Sequence, residues 1–353
     1  VKQLGIIGAG AIGLKHAEAA REAGAAVRWV VDINLEKAHA LAEKFGGEPC
    51  ESIAPAINDP ATDAIIVGVP NHLHREFAVA SLDAGKDVLL EKPMALNAAE
   101  CAEINAAAVR NGRVLQLGFA HRYTAVGRLA RQIVDEGRLG EIYHAQAHLH
   151  LRRGVPGLGK WFTTKSISGG GALIDVGVHL IDLSLWILGH PEVVDVNGQV
   201  YSTFGRRMRD YVYKDMWAGP PDWDGVCDVE DAAHALVRFR NGSTLDLNVA
   251  WAGNFPEQAM PVSMMGFFGD RGGMTFELFG DHATVTSERD GALVDERFEA
   301  PEAELYRDQL AAFLQSMDTR QVTGATGLDG EVVQRIVDDI YRSSLPRPAA
   351  LQA

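Results

Sequence analysis

Cysteine is scarce. The 353-residue chain has three, Cys50, Cys101 and Cys227, odd in number and far apart. That excludes a readable disulfide framework or a CxxC zinc pair and points to reduced thiols in a cytoplasmic protein. Positive charge is short as well: 33 Lys and Arg stand against 47 Asp and Glu, a formal net charge of −14. A nucleic-acid binder presents a basic face, so DNA and RNA are set aside as partners. No basic-then-apolar targeting region opens the sequence, which runs straight into an apolar strand at 4–7. No apolar stretch approaches the ~20 residues of a membrane helix, so no membrane is expected. There is no internal repeat and no low-complexity segment.

What is present fits a soluble globular protein. Hydrophobic residues make up 47% and charged residues 23%, and the length suits two domains better than one core. Over the first 120 residues, short apolar runs at 4–7, 27–31, 64–69, 88–90 and 114–119 alternate with helical stretches at 12–23, 35–45, 75–84 and 98–111. Buried strands separated by helices imply parallel βαβ units. Gly24, Gly46, Gly85 and Gly112 stand where those helices should stop. After residue 122 the texture changes. A helix at 125–136 precedes a strand at 144–151 in which His144, Gln146, His148 and His150 alternate with apolar residues. Further strands are expected at 192–200, 232–239, 244–251 and 274–278, with Asn241-Gly242 as a hairpin turn. Helices at 305–317 and 330–343 close the chain. The stretch 205–228 is a long loop of the kind that often carries function. The expected fold is α/β: a doubly wound parallel Rossmann sheet over 1–121, then an α+β domain over 122–353 with a large, mostly antiparallel open sheet.

Gly8-Ala9-Gly10-Ala11-Ile12-Gly13 follows a strand and opens a helix. In that context Gly8 serves the tight turn, Gly10 the approach of a pyrophosphate and Gly13 the packing of helix on strand. The N–H groups at Ala11 and Ile12 begin a helix N-terminus that favours an anion. Asp32 ends the second strand 19 residues after Gly13, where an acid meets the ribose diol and repels a 2′-phosphate. NAD is therefore favoured over NADP, although Lys37 leaves a route to a phosphate. The plainer alternative, a structural βα turn with an incidental acid, must explain strand, glycines, helix and acid together.

Two later clusters carry chemistry. Glu91-Lys92-Pro93 follows an apolar strand, and strand ends of such a sheet face the cofactor crevice. A lysine there can handle a proton; taken alone, an exposed lysine at a turn is the simpler reading. Pro93 would fix the backbone beyond it, with the cis form open to an X–Pro bond. The run Gly169-Gly170-Gly171 suits a close approach of backbone to ligand or cofactor. The helix after it spaces Asp175, His179 and Asp182 along one face, polar groups that are costly to bury without a partner or a purpose. A satisfied core cluster is the alternative. The histidines at 144, 148 and 150 lack a cysteine or acid at matching spacing, so no metal is expected there.

Together these residues resemble the glucose–fructose oxidoreductase / inositol dehydrogenase / rhizopine catabolism (Gfo/Idh/MocA) family. The resemblance covers nearly the whole chain: GAGAIG, VPNHLH at 69–74, AGKDVLLEKP at 84–93, LGFAHRY at 117–123, GGGALIDVGVHLIDLSLW at 169–186, VEDAAHALVRFRNGSTLDL at 229–247 and GDRGG at 269–273. It implies an NAD(P)-dependent oxidoreductase acting on a sugar, inositol or related polyol. Lys92 would relay a proton or polarise the reacting oxygen. Asp175 and His179 would contact substrate hydroxyls, with His179 the base, because a histidine is neutral near its ordinary pKa of ~6.5 whereas a lysine starts near ~10.4. Pro70, Asn71 and His74 would line nicotinamide and ribose, with Glu91 beside the lysine and Arg122 near the cofactor. Where many members carry Asn, this chain has His121. Substrate candidates are Tyr123, Arg152, Arg153, Trp161 and Phe162; the two aromatics either stack on a sugar or pack a loop. Lys92 and His179 are expected to act as one proton-handling site across the domain cleft. A homodimer or homotetramer is expected. Two other functions remain: a glycoside-cleaving enzyme that oxidises transiently with bound NAD, and a non-catalytic sugar sensor on the same fold.

Overall fold

The computed structural model describes residues 1–214, 218–256 and 262–345. By contact the chain divides into two compact units, Val1–Thr124 with Glu302–Gln334, and Ala125–Pro301 with Arg335–Ala353.

The first unit follows the alternation of the sequence: β1 (Gln3–Ile7), α1 (Ala11–Glu22), β2 (Ala26–Val31), α2 (Leu35–Phe45), β3 (Glu48–Cys50), α3 (Ile53–Asn58), β4 (Ala64–Val67), α4 (His74–Asp83), β5 (Asp87–Leu90), α5 (Ala98–Asn111) and β6 (Leu115–Leu117). The six strands are parallel in the order β6-β5-β4-β1-β2-β3. β4 and β5 are buried at every residue, as strands covered on both faces must be. Asn34 and Asn97 cap α2 and α5 by accepting from the backbone of Lys37 and Glu100. β3 and α3 lie outside the sequence reading. β3 is a three-residue edge strand containing a proline. α3 carries Pro55 in its first turn, where a missing N–H costs little.

The sequence reading gave 122–353 to one domain; the structure returns Glu302–Gln334 to the first unit. The helix Leu305–Thr319 places Leu310, Phe313 and Met317 in the same core cluster as Leu4, Ile6, Ala17 and Val30. Ala325–Thr326 adds an antiparallel strand beside β6. Arg320 donates to both oxygens of the buried Asp87, at 2.7 and 3.0 Å. An amphipathic pattern announces that a helix has an apolar face, not which core receives it.

The second unit contains α6 (Ala125–Asp135), β7 (Ile142–His150), α7 (Lys165–Ser168), α8 (Val178–Ile187), β8 (Val193–Tyr201), β9 (Ala232–Phe239), β10 (Thr244–Ala250), β11 (Ser263–Gly269), β12 (Gly272–Phe276), β13 (His282–Arg289) and β14 (Ala292–Glu299). These strands form one sheet, β14-β13-β12-β11-β7-β10-β9-β8. β7 and β10 run parallel and the other neighbours antiparallel. β9 and β10 turn at Asn241-Gly242 with Gly242 at φ 86°. α8 packs on β7 and β10. β7 alternates: Ala145, Ala147 and Leu149 are buried, while His144, Gln146, His148 and His150 are half-buried. β11, β13 and β14 were not read from the sequence. β14 is a sheet-edge strand with no buried position, so it has no apolar face to announce it. Positions 215–217 of the long loop lie outside the described residues; its start, Gly205–Asp210, is a 3₁₀ turn.

One correction concerns apolar length. Lys165–Ile187 has a mean hydropathy of 1.4 over its most apolar window, enough to cross a membrane by length and composition, but 78% of that window is buried inside the fold.

Candidate active site

In the first unit, the predicted residues gather where strands end. Gly8–Gly13 follows β1, Asp32 follows β2, Pro70 and Asn71 lie just beyond β4, Glu91 and Lys92 follow β5, and His121 and Arg122 lie just beyond β6. The strand order reverses between β1 and β4, and the crevice outside the carboxyl ends at such a point is where dinucleotides bind.

The glycine loop has the form such a ligand needs. Gly8 adopts φ 101°, and a Cβ there would lie 2.2 Å from the Gly68 carbonyl oxygen. A Cβ on Gly13 would lie 1.9 Å from the Gly8 carbonyl oxygen. Gly10 is different: its Cβ position has no neighbour within 4 Å. α1 therefore begins beside open space, and no side chain caps it. Its first N–H groups suit an anion. Asp32 is fixed over the loop, accepting from the Ala9 and Asn34 backbones at 2.8 Å each. Each of its oxygens retains a lone pair for a ribose hydroxyl. These features fit the pyrophosphate and the ribose diol of a nicotinamide dinucleotide.

Several predicted residues serve the protein's own frame. His74 is buried, with Nδ1 2.7 Å from the Pro93 carbonyl and Nε2 2.8 Å from that of Val69. Burial holds its pKa below the ordinary histidine value. The Lys92–Pro93 bond is cis. Glu91 is buried and bonded to His16, 2.7 Å away, a residue the sequence reading passed over. His16 sits inside α1 with no motif of its own, and its partner is 75 positions away. Arg122 is buried against Asp329 at 3.3 Å. Tyr123 is buried, and a Cβ on Gly324 would lie 2.5 Å from its hydroxyl, so that hydroxyl faces a backbone of its own unit. Burial, with the charge of Lys92 added to it, pushes the His121 imidazole down to about 3.

In the second unit, Asp175 and His179 are half-buried and Asp182 is buried. Leu173–Gly177, which carries Asp175, is a π-helical turn with i→i+5 winding, and it runs into α8, which carries His179 and Asp182. Trp251, 1% exposed, donates its indole N–H to Asp175 Oδ2 at 3.0 Å and orients the carboxylate.

The glycine run has a different purpose from the one expected. A Cβ on Gly170 would lie 1.9 Å from the Tyr341 hydroxyl, and one on Gly171 would lie 1.8 Å from the Glu230 carbonyl oxygen. The close approach is to the protein itself. Glu230 Oε1 accepts from the Gly171 and Leu173 backbones at 2.8 and 3.0 Å and from Tyr341 at 2.9 Å. It caps the segment that carries Asp175 and His179. Burial raises the pKa of the Glu230 carboxyl, and burial followed by that carboxylate raises that of Tyr341.

Of the other substrate candidates, Trp161 and Phe162 stack on each other with ring centres 3.7 Å apart. Arg152 is exposed. Its neighbour Arg153 lies over Phe204 and donates to the Gly253 carbonyl and Asn254. Arg153, Phe204, Arg207, Asp210 and Tyr211 line a cavity of about 170 Å³.

A doubly wound sheet with this loop and this acid defines a dinucleotide-dependent oxidoreductase, with a second unit built on an open sheet. Residues 2–119 match the model of an oxidoreductase family with an NAD-binding Rossmann fold, and residues 128–286 match the GFO/IDH/MocA C-terminal domain. The chain belongs to the Gfo/Idh/MocA oxidoreductase family. The D-glucoside 3-dehydrogenase of Escherichia coli (strain K12) is 32% identical over 324 residues, 89% of this chain and 87% of that protein. A levoglucosan dehydrogenase solved with NADH and levoglucosan shares the fold, with a TM-score of 0.82 at 23% identity over 100% of this chain and 98% of that one. GenD2 from gentamicin A biosynthesis, solved with NAD, gives a TM-score of 0.77 at 26% identity, covering 97% and 94% of the two chains.

Proposed function

We propose that this protein is an NAD-dependent dehydrogenase that oxidises a hydroxyl-bearing carbon of a sugar or polyol. The nicotinamide supplies the hydride acceptor. The observation that carries the reading is the cluster at the strand ends, with an uncapped helix start, the fixed Asp32 carboxylate and Lys92 all in one crevice of the first unit. Relatives named for D-glucosides and levoglucosan support a sugar substrate. In this assignment Lys92 donates a hydrogen bond to the reacting oxygen. His179 takes the hydroxyl proton, and Asp175, steadied by Trp251, orients neighbouring hydroxyls. The three cysteines, none of them in a disulfide, suit a reducing cytoplasm.

NAD is preferred to NADP because Asp32 would sit against a 2′-phosphate. Like charges a few ångströms apart at a protein surface cost enough to make the expected preference on the order of tenfold or more in kcat/KM. A panel of sugars and polyols with each cofactor, followed by absorbance of the reduced form, measures it. A higher kcat/KM with NADP would refute the assignment of Asp32. If substrate is consumed while no reduced cofactor accumulates, the reaction is instead the transient oxidation and elimination of a glycoside-cleaving enzyme.

The protein is also proposed to be a homodimer or homotetramer joined through the open sheet face. His144 stacks on Phe268 and His150 on Phe255 there, giving a half-buried, partly aromatic surface. Sedimentation should give two or four times the 38.1 kDa chain mass. A lone chain at micromolar concentration would exclude this.

A further inference from the structure

The proposed chemistry gives no task to His16 or His74, yet the turn that carries Lys92 rests on both. β5 ends at Leu90. Beyond it, the residue before Lys92 and the residue after it are each anchored on a buried imidazole. His16 is fully buried in α1, and its Nε2 lies 2.7 Å from Glu91 Oε1. A carboxylate only accepts, so Nε2 carries the hydrogen. The other carboxylate oxygen, Oε2, accepts from the Lys92 backbone at 3.2 Å. The group has no room to swing. A Cβ on Gly118 would meet three atoms of this carboxyl group at 2.9 Å, and the Tyr306 ring packs T-shaped against the His16 ring at a centroid distance of 5.8 Å. On the far side His74, 1% exposed, lies between the Pro93 carbonyl at 2.7 Å and the Val69 carbonyl at 2.8 Å.

We propose that His16 and His74 are positioning residues for Lys92, holding the Glu91-Lys92-Pro93 turn from its two ends. The proposal rests on the reading of Lys92 as the donor to the reacting oxygen. It has a mechanical corollary. His16 lies on the helix whose N-terminus would hold the pyrophosphate, so the same element that seats the dinucleotide grips the turn that carries the lysine. His74 likewise ties that turn to Val69, just before Pro70 and Asn71. A small displacement of a catalytic group suffices to lose about a hundredfold in rate. Bracing of this kind is therefore felt in kcat rather than in affinity.

The test uses His16→Leu, which removes the donor, and His16→Gln, whose amide N–H can still reach Glu91. Each is made in the wild-type and Lys92→Ala backgrounds. Turnover is measured beside NAD affinity, from fluorescence titration of the cofactor-free protein, and beside Tm. His16→Leu should lower kcat about a hundredfold with NAD affinity kept, and His16→Gln should restore most of it. In the Lys92→Ala background His16→Leu should cost nothing further, because two residues acting through one group do not add. Equal losses in both backgrounds, or a loss of NAD affinity with kcat unchanged, would overturn the proposal. A Lys92→Ala protein with wild-type kcat would instead overturn the assignment of Lys92 and this proposal with it. Should His16→Leu fail to fold, His74→Asn with the same readouts carries the test from the other end of the turn.

Discussion

Lys92→Ala and His179→Ala should each lower kcat by about 10²–10⁴ while leaving NAD affinity near that of the wild type. Hydride transfer from an alcohol turns a hydroxyl into a carbonyl and releases a proton. Without an acceptor at the hydroxyl, or without a donor to the oxygen as its charge changes, the barrier rises by the whole of that assistance. NAD affinity should survive because the glycine loop, the start of α1 and Asp32 depend on neither residue. Steady-state turnover and fluorescence titration with NAD, done side by side, decide it. A variant that binds NAD normally and keeps near wild-type kcat does not play its assigned part. If both variants lose NAD affinity, these residues hold the cofactor and the chemistry lies elsewhere.

Glu230→Ala should be the most damaging substitution outside the glycine loop. It leaves the Gly171 and Leu173 N–H groups and the Tyr341 hydroxyl without their acceptor, around a side chain whose residue is 4% exposed. Each orphaned buried donor costs ~1–3 kcal/mol, so a loss of about 4 kcal/mol is expected in denaturant unfolding. Activity should fall as well, because the freed segment carries Asp175 and His179. Glu230→Gln keeps an acceptor and should be milder, and it has a pH signature. Burial raises the Glu230 carboxyl above its ordinary 4.5. Between that value and the folded pKa the native state binds more protons than the unfolded one, so this group makes wild-type stability fall as pH rises. Glu230→Gln has no such slope and should gain on the wild type from pH 4.5 upward. A stability difference that stays flat with pH would show that the carboxyl is not perturbed by its burial.

The cofactor motif was legible because its signals are local. GAGAIG, Asp32 and Glu91-Lys92-Pro93 each stand directly after an apolar strand, and a parallel sheet puts all such strand ends on one edge. The hairpin at Asn241-Gly242 and the alternation of 144–151 are equally short-range. Three features depend on distant partners. The glycine run was given to a ligand, but its close neighbours are Glu230, about 60 residues on, and Tyr341. Gly324 and Asp329 meet Tyr123 and Arg122 from a segment that returns about 200 residues later. His16 attracted no notice, since nothing near it in sequence marks a buried histidine bonded to a glutamate.

The sequence by itself therefore determined the doubly wound sheet, the oxidoreductase family and the candidate residues that stand at the strand ends. Those depend on strand–turn–helix chemistry within about thirty residues, where backbone preference and hydrophobic period act directly. Only the tertiary structure decided that Glu302–Gln334 completes the first unit, that Asp175 lies on a π turn ahead of α8, and that two buried histidines flank Lys92. Burial is a property of the packed molecule. A polar side chain takes its partner from whatever the fold brings beside it, because leaving it dry and unbonded costs more than any local preference can offset.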